Sequence, residues 1–139
     1  MTTSMQPEAL LKERFGLQSF RPGQREVITA LTQSDAALAV FPTGGGKSLC
    51  YQLPALIFDG VTVVISPLIA LMKDQIDALQ QRGVAAARLD SSLSEAEYLE
   101  VNRQLRAGTL KLLYVAPERF NNERFLEQLG QTRIALLAI

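Results

Sequence analysis

A glycine-rich stretch, VFPTGGGKSLCY at residues 40–51, combines residue types that can hold a phosphate group. Its three successive glycines lack Cβ atoms, so their backbone N–H groups can converge on the β-phosphate of a nucleotide. Lys47 would place its ammonium between β- and γ-phosphate oxygens, and the Ser48 hydroxyl would ligate Mg²⁺. The stretch therefore predicts a P-loop that binds a nucleoside triphosphate. The residues of this predicted loop are Thr43, Gly44, Gly45, Gly46, Lys47 and Ser48.

The flanking sequence supports the P-loop interpretation. An apolar run, AALAVF at 36–41, precedes the loop, and a helix is predicted after it whose N-terminal dipole would add to phosphate binding. The strict P-loop pattern asks for glycine where Phe41 stands. The alternative is a glycine turn with a solvated lysine, but strand, loop, Lys-Ser and helix rarely coincide by chance. Pro54 lies in the second turn of the predicted helix and is expected to bend it without ending it.

The chain around this loop alternates apolar runs with amphipathic segments, a pattern typical of βαβ units that form a parallel sheet. The predicted strands are AALAVF (36–41), VTVVIS (61–66), AAARLD (85–90), LKLLYVA (110–116) and IALLAI (134–139). The sequence therefore predicts an α/β fold with a mainly parallel sheet flanked by helices. The last strand reads as an interior one, and we expect the chain to be truncated within a domain at its C-terminal end.

Helix boundaries follow from capping residues. One helix is predicted over PEALLKERF, ending at Gly16, and a second beginning near Pro22. A capping box of Ser94 and Glu97 starts a later helix that Gly108 would close. Before it lies a helix whose apolar residues are expected to pack in the core and whose end Gly83 would cap. Its predicted apolar face consists of Leu68, Leu71, Met72, Ile76 and Leu79.

Composition excludes several classes of function. Fourteen basic and fourteen acidic residues leave no basic field for non-specific attraction to nucleic acid or membrane, so any nucleic-acid contact must be local. Histidine is absent, which excludes His-based acid–base and triad chemistry in this chain. Cys50 is the single cysteine, the N-terminus does not read as a signal peptide, and no apolar stretch is long enough to span a bilayer. We therefore expect a cytoplasmic location and no membrane partner.

Four segments together resemble the first motor domain of a superfamily 2 helicase, most closely the RecQ family of DNA helicases. FGLQSFRPGQ (15–24) resembles the family's motif 0, and FPTGGGKS (41–48) its motif I. SPLIALMKDQ (66–75) resembles motif Ia, and LLYVAPERF (112–120) the segment that carries motif Ib. The resemblance implies a RecA-like P-loop domain. Residues 1–139 would then be an incomplete first motor domain with motifs 0, I, Ia and Ib, without motif II onward.

Residues of the motif 0 segment can recognise adenine. The Gln24 amide carries both a donor and an acceptor, the pattern needed to bind the amine and a ring nitrogen of adenine. Arg21 has a planar guanidinium that can stack on a purine face. In the family an aromatic residue often covers the other face, where Leu17 stands in this sequence. The alternative is a helix start in which Gln24 is merely a solvated side chain.

By the same resemblance, the segments of motifs Ia and Ib grip single-stranded DNA along its phosphates. The expected contact residues are Ser66, Pro67, Lys73 and Arg119. They offer a hydroxyl group, a backbone N–H after the proline and two cations, which hold a strand without reading its bases. The alternative is that Lys73 and Arg119 are ordinary exposed charges.

Hydrolysis also needs an aspartate that anchors Mg²⁺ and a glutamate that orients water, and no predicted strand is followed by Asp-Glu. Asp90 follows a strand, but Ser-Ser comes next and Arg88 interrupts the apolar run, so it is a poor candidate. In the family, a D-E-A-H or related motif directly follows a strand like the one at the end of this chain. The 139 residues alone are therefore expected not to hydrolyse ATP.

The resemblance implies the ATP-binding portion of a 3′-to-5′ DNA helicase that couples hydrolysis to strand unwinding in repair and recombination. ATP and Mg²⁺ are the expected cofactors, with zinc bound only by a region absent from this chain. The partner is single-stranded or partly duplex DNA; a full-length protein could also bind a single-stranded DNA-binding protein and, in a bacterium, lie at the nucleoid. The alternatives are a DEAD-box-like RNA helicase, a P-loop phosphotransferase, and a fragment that only binds nucleotide or DNA.

Overall fold

The computed structural model of the chain describes residues 6–33, 48–132 and 134–138. Two compact units divide the chain, Met1–Phe58 and Asp59–Ile139. The strand predicted over 36–41 and the loop residues Thr43 to Lys47 lie outside the described residues.

The described part of the first unit is helical. Its helices are α1 (Pro7–Phe15), α2 (Gln24–Gln33) and α3 (Leu49–Ile57). The backbone of Gly16 adopts the left-handed conformation with φ 68°, where glycine carries no steric cost, so it ends α1 as predicted. Helix α3 continues past Pro54 to Ile57, which confirms that this proline does not end the helix.

The second unit is built on a parallel sheet of four strands in the order β2-β3-β1-β4. Its regular elements are β1 (Val61–Ile65), α4 (Ile69–Gln81), β2 (Ala86–Leu89), α5 (Glu95–Ala107), β3 (Leu112–Val115), a 3₁₀ helix (Pro117–Asn121), α6 (Glu123–Gly130) and β4 (Ile134–Ala138). Four of the predicted strands are thereby confirmed. Because the strands are parallel, the loops after β1, β2 and β3 leave from the same edge of the sheet.

The core of the second unit forms where the sheet meets α5 and α6. All four residues of β3 are buried, as expected for a strand with neighbours on both sides. The core cluster consists of Val61, Val63, Leu89, Val101, Leu105, Leu110, Leu113, Val115 and Phe125. The interior position predicted for β4 stays a prediction, since the strand predicted over 36–41 lies outside the described residues. Among the described strands β4 is an edge strand that pairs with β1, and its Ile134 and Leu137 are 41% and 54% exposed.

The helix caps of the second unit are as predicted from the sequence, but only part of the predicted apolar face of α4 is buried. Ser94 and Glu97 form the predicted capping box, and Gly108 ends α5 with φ 73°. In α4, Met72, Ile76 and Leu79 are buried as predicted. Leu68 and Leu71 are 58% and 46% exposed, so their prediction as core residues was wrong. Leu68 precedes the helix with non-helical torsion angles, and Leu71 lies about 100° around the helix from Met72.

Among the described residues, no helix is both long and apolar enough to cross a bilayer.

Candidate nucleotide and nucleic-acid sites

Gln24 is the best-defined residue of the predicted nucleotide site. It is the first residue of α2, and it is 3% exposed. Its Oε1 accepts a hydrogen bond from the backbone N–H of Arg21 at 2.8 Å. The alternative of a solvated glutamine is therefore wrong, because the amide is buried and helps to hold the turn before the helix.

The other two predicted adenine contacts lie in the segment between α1 and α2. Arg21 and Leu17 are both exposed, and Leu17 retains 47% of its surface. The backbone N–H of Leu17 donates to the carbonyl of Leu11 at 3.1 Å, which ties the start of this segment to α1. The structure thus brings Arg21 and Gln24 together by a hydrogen bond and leaves an aliphatic side chain exposed nearby in sequence.

Ser48 stands at the N-terminus of α3, directly after the loop residues that the structure does not describe. Its carbonyl accepts from the N–H groups of Tyr51 and Gln52 at 3.2 and 3.0 Å. Its side chain makes no capping hydrogen bond, and its role as a Mg²⁺ ligand stays a prediction. In the described ranges, no group of three or more acidic, histidine or cysteine residues could hold a metal ion.

Cys50 lies two residues after Ser48, in α3, and its surroundings do not favour a reactive thiol. The thiol is buried, and burial raises its pKa, so the thiolate needed for nucleophilic attack is disfavoured.

The end of β1 leads into the predicted motif Ia segment. Ser66 donates its backbone N–H to the carbonyl of Val115 at 3.0 Å, and its Oγ accepts from the N–H of Leu68 at 3.2 Å. Ser66 thus joins β1 to the end of β3 and helps to start α4. Pro67 is exposed at the same edge of the sheet.

The end of β3 leads into the 3₁₀ helix that carries Arg119. Its guanidinium carbon lies 5.3 Å from the centroid of the Tyr98 ring and 5.8 Å from that of Phe125. No acidic side chain in the described part of the chain forms an ion pair with Arg119. Arg119 also lines a cavity of about 370 Å³ next to the start of α5. Arg119 is half-buried, and its role as a DNA contact stays a prediction.

Asp90 lines the same cavity as Arg119, but hydrogen bonds within its own turn explain why an aspartate stands at this position. Its Oδ1 accepts from the backbone N–H of Ser92 at 2.7 Å and from the Ser92 hydroxyl. Its Oδ2 lies 3.5 Å from Nε of Arg88. Asp90 therefore holds the turn before α5, and it follows β2, which is separated from β4 by two strands. This placement supports the prediction that Asp90 is a poor candidate for the metal-anchoring aspartate.

Lys73 is a predicted DNA contact that does not line the same cavity as Arg119. It is exposed on α4 and lines a different cavity of about 760 Å³, along with Asp77, Arg88 and Glu100. The structure therefore brings Ser66 close to the end of β3, but does not place Lys73 in the Arg119 cavity.

Sequence reasoning missed the two aromatic residues that flank Arg119. Tyr98 lies on α5 and Phe125 on α6, so they meet only in the folded unit. Each reads from the sequence as an ordinary apolar position of an amphipathic helix. No local signal could have paired them with the arginine.

Comparison with known families defines the class of protein. The model of the DEAD/DEAH box helicase family matches residues 21–137. The chain therefore belongs to the DEAD/DEAH box helicase family.

Relatives within this class make the similarity more specific. The ATP-dependent DNA helicase RecQ of Haemophilus influenzae is 51% identical over 94% of this chain and 21% of its own length. The RecQ helicase of Bacillus subtilis is 47% identical over 95% of this chain and 22% of its own length. The ATP-dependent DNA helicase Q1 of Rattus norvegicus is 46% identical over 86% of this chain and 20% of its own length. The resemblance predicted from the motifs is thereby confirmed, and the chain spans about a fifth of the length of these relatives.

A solved structure supports the fold. The crystal structure of the DUF1998 helicase MrfA bound to DNA matches with a TM-score of 0.68 and 22% identity, over 86% of this chain and 18% of that chain. At this identity the match shows the fold alone. The predicted RecA-like α/β class is confirmed.

Proposed function

We propose that this chain is the ATP-binding portion of a 3′-to-5′ DNA helicase that couples ATP hydrolysis to strand unwinding in repair and recombination. The observation that carries the proposal is the 51% identity to an ATP-dependent DNA helicase over 94% of the chain. The second unit agrees with it, because Ser66, Pro67 and Arg119 follow parallel strands at one edge of the sheet. A strand could be held there along its phosphates.

In this proposal, the nucleotide is bound by residues of the first unit. Lys47 binds the β- and γ-phosphates, and the Ser48 hydroxyl holds Mg²⁺. When bound, the ion neutralises charge on the transferred phosphoryl group. Gln24 and Arg21 select adenine, with Leu17 beside them. Zinc would be bound only outside this chain.

The adenine assignment predicts a base-specific defect in a full-length helicase that carries this chain. Gln24→Ala is expected to weaken ATP binding by about 5- to 30-fold and GTP binding much less, since two hydrogen bonds to adenine are lost at about 1 kcal/mol each. The measurement is a competition titration of the two nucleotides. Gln24→Glu is the matched control, because its carboxylate still accepts from Arg21 N–H but lacks the amide donor. An equal loss for ATP and GTP would show that Gln24 only supports the turn.

The DNA assignment predicts a change in salt dependence. Arg119→Ala is expected to weaken single-stranded DNA binding about tenfold and to reduce the slope of log K against log salt by about 0.7, the value for one phosphate contact. Fluorescence anisotropy with labelled oligonucleotides of several sequences measures both quantities. The loss should be similar for every sequence, because a phosphate contact carries no base information. An unchanged slope, or a stronger effect on RNA than on DNA, would contradict the assignment.

The proposal includes a cytoplasmic location, at the nucleoid in a bacterium. It also includes a single-stranded DNA-binding protein as a partner of the full-length helicase.

A further inference from the structure

The guanidinium of Arg119 lies against two aromatic rings and forms no ion pair in the described part of the chain. Its Nε is buried and has no hydrogen-bond partner among the described residues. Neither a carboxylate nor a carbonyl oxygen is therefore seen to orient this part of the guanidinium. Both the Tyr98 and the Phe125 ring centroids lie within the roughly 6 Å range of a favourable cation–π contact.

The acidic side chain that lines the same cavity, Asp90, forms its ion pair with Arg88 and not with Arg119. This side chain is fully buried, and its Oδ2 lies 3.5 Å from Nε of Arg88. Ser92 satisfies Oδ1, whereas Oδ2 is buried without a hydrogen-bond partner among the described residues and has Arg88 as its ion-pair partner. No ion pair joins Asp90 to Arg119 in the described part of the chain.

We propose that Tyr98 and Phe125 are positioning residues for Arg119. Their rings restrict the guanidinium without consuming its charge, so that it is oriented before a DNA phosphate arrives. This inference rests on the proposed function, since it requires Arg119 to contact the strand. An arginine restrained in advance loses less side-chain freedom on binding than a free one. Lysine would be a poorer residue here, because its ammonium lacks the planar face with which a guanidinium stacks on a ring.

The rings also connect Arg119 to the core. Phe125 is fully buried in the core cluster and packs edge to face against Phe120, with ring centroids 5.4 Å apart. Tyr98 is only partly buried and packs against the same cluster. Tyr98 is therefore the better position to substitute, since its loss disturbs the core less than loss of Phe125.

The test is a double-mutant cycle in a full-length helicase that carries this chain, with single-stranded DNA affinity measured by fluorescence anisotropy. Tyr98→Leu is expected to weaken binding about threefold to tenfold, and Tyr98→Phe, which keeps the aromatic face, by less than about twofold. In the Arg119→Ala background, Tyr98→Leu should cause no further loss. Arg119→Lys, which leaves the core unchanged, should weaken binding although the charge is kept. Leu99→Ala, at an exposed position on the same helix, is the control and should have no effect.

The outcomes separate this inference from the proposed function. Tyr98→Leu causing the same loss with and without Arg119, or no loss at all, would overturn the positioning role while leaving the DNA contact intact. Full DNA affinity in Arg119→Ala would overturn both. Thermal unfolding of each variant shows whether it is folded. If Tyr98→Leu does not fold, Arg119→Lys decides: wild-type affinity in that variant would overturn the role of the rings.

Discussion

Lys47→Ala is expected to abolish ATP hydrolysis and strand unwinding in a full-length helicase that carries this chain. The lysine ammonium compensates charge that builds on the phosphate oxygens in the transition state, and loss of one such donor costs about 10² to 10³ in rate. We expect the fold to be unchanged, since a side chain that projects from a phosphate-binding loop supports little of the core.

Steady-state phosphate release with saturating single-stranded DNA measures the effect, and thermal unfolding checks the fold. Lys12→Ala is a suitable control, because Lys12 is an exposed cation on α1 and has no role in the proposed site. Turnover near the wild-type rate in a folded Lys47→Ala protein would refute the P-loop assignment.

The second large effect concerns the chain by itself. Residues 1–139 are expected to hydrolyse ATP no faster than the same chain with Lys47→Ala, with or without DNA. The chain is expected to supply ground-state contacts through Lys47 and Ser48, but its sequence contains no Asp-Glu pair that could fix Mg²⁺ and align water. An arginine finger from a second motor domain would be worth about 10³ to 10⁵ in rate as well.

Phosphate release from the monomeric fraction tests this expectation, and the Lys47→Ala chain reports contaminating ATPase. DNA-stimulated turnover that disappears in that variant would mean that an acid within the chain completes a working site. Asp90 would then be the first residue to substitute. Asp90→Asn keeps an oxygen that can accept from Ser92 N–H, so the turn before α5 should survive.

Local signals in the sequence predicted much of the fold. Gly16, Gly108 and the Ser94–Glu97 capping box end or start helices as expected, because each acts through its own backbone and the next turn. The strands of the second unit were predicted from short apolar runs, since buried parallel strands need apolar side chains on both faces.

The predictions that were wrong, and the contacts that were not predicted, depend on how the elements pack in three dimensions. Leu71 lies on the apolar side of its helix in the sequence pattern, yet it is exposed, because packing against the sheet selects a narrower face. The burial of Gln24 and the rings around Arg119 arise from contacts across a turn or between elements. Such contacts depend on three-dimensional placement and leave no periodic trace in the sequence.

A strand-separation assay tests whether this chain is part of an ATP-driven motor that unwinds DNA. A full-length helicase that carries the chain is mixed with ATP, Mg²⁺ and a fluorescent duplex that has a 3′ single-stranded tail, made in matched DNA and RNA versions. We expect ATP-dependent separation of the DNA duplex, little separation of the RNA duplex, and none of either with Lys47→Ala. Separation of the RNA duplex in preference, or ATP-dependent separation that survives Lys47→Ala, would contradict this expectation.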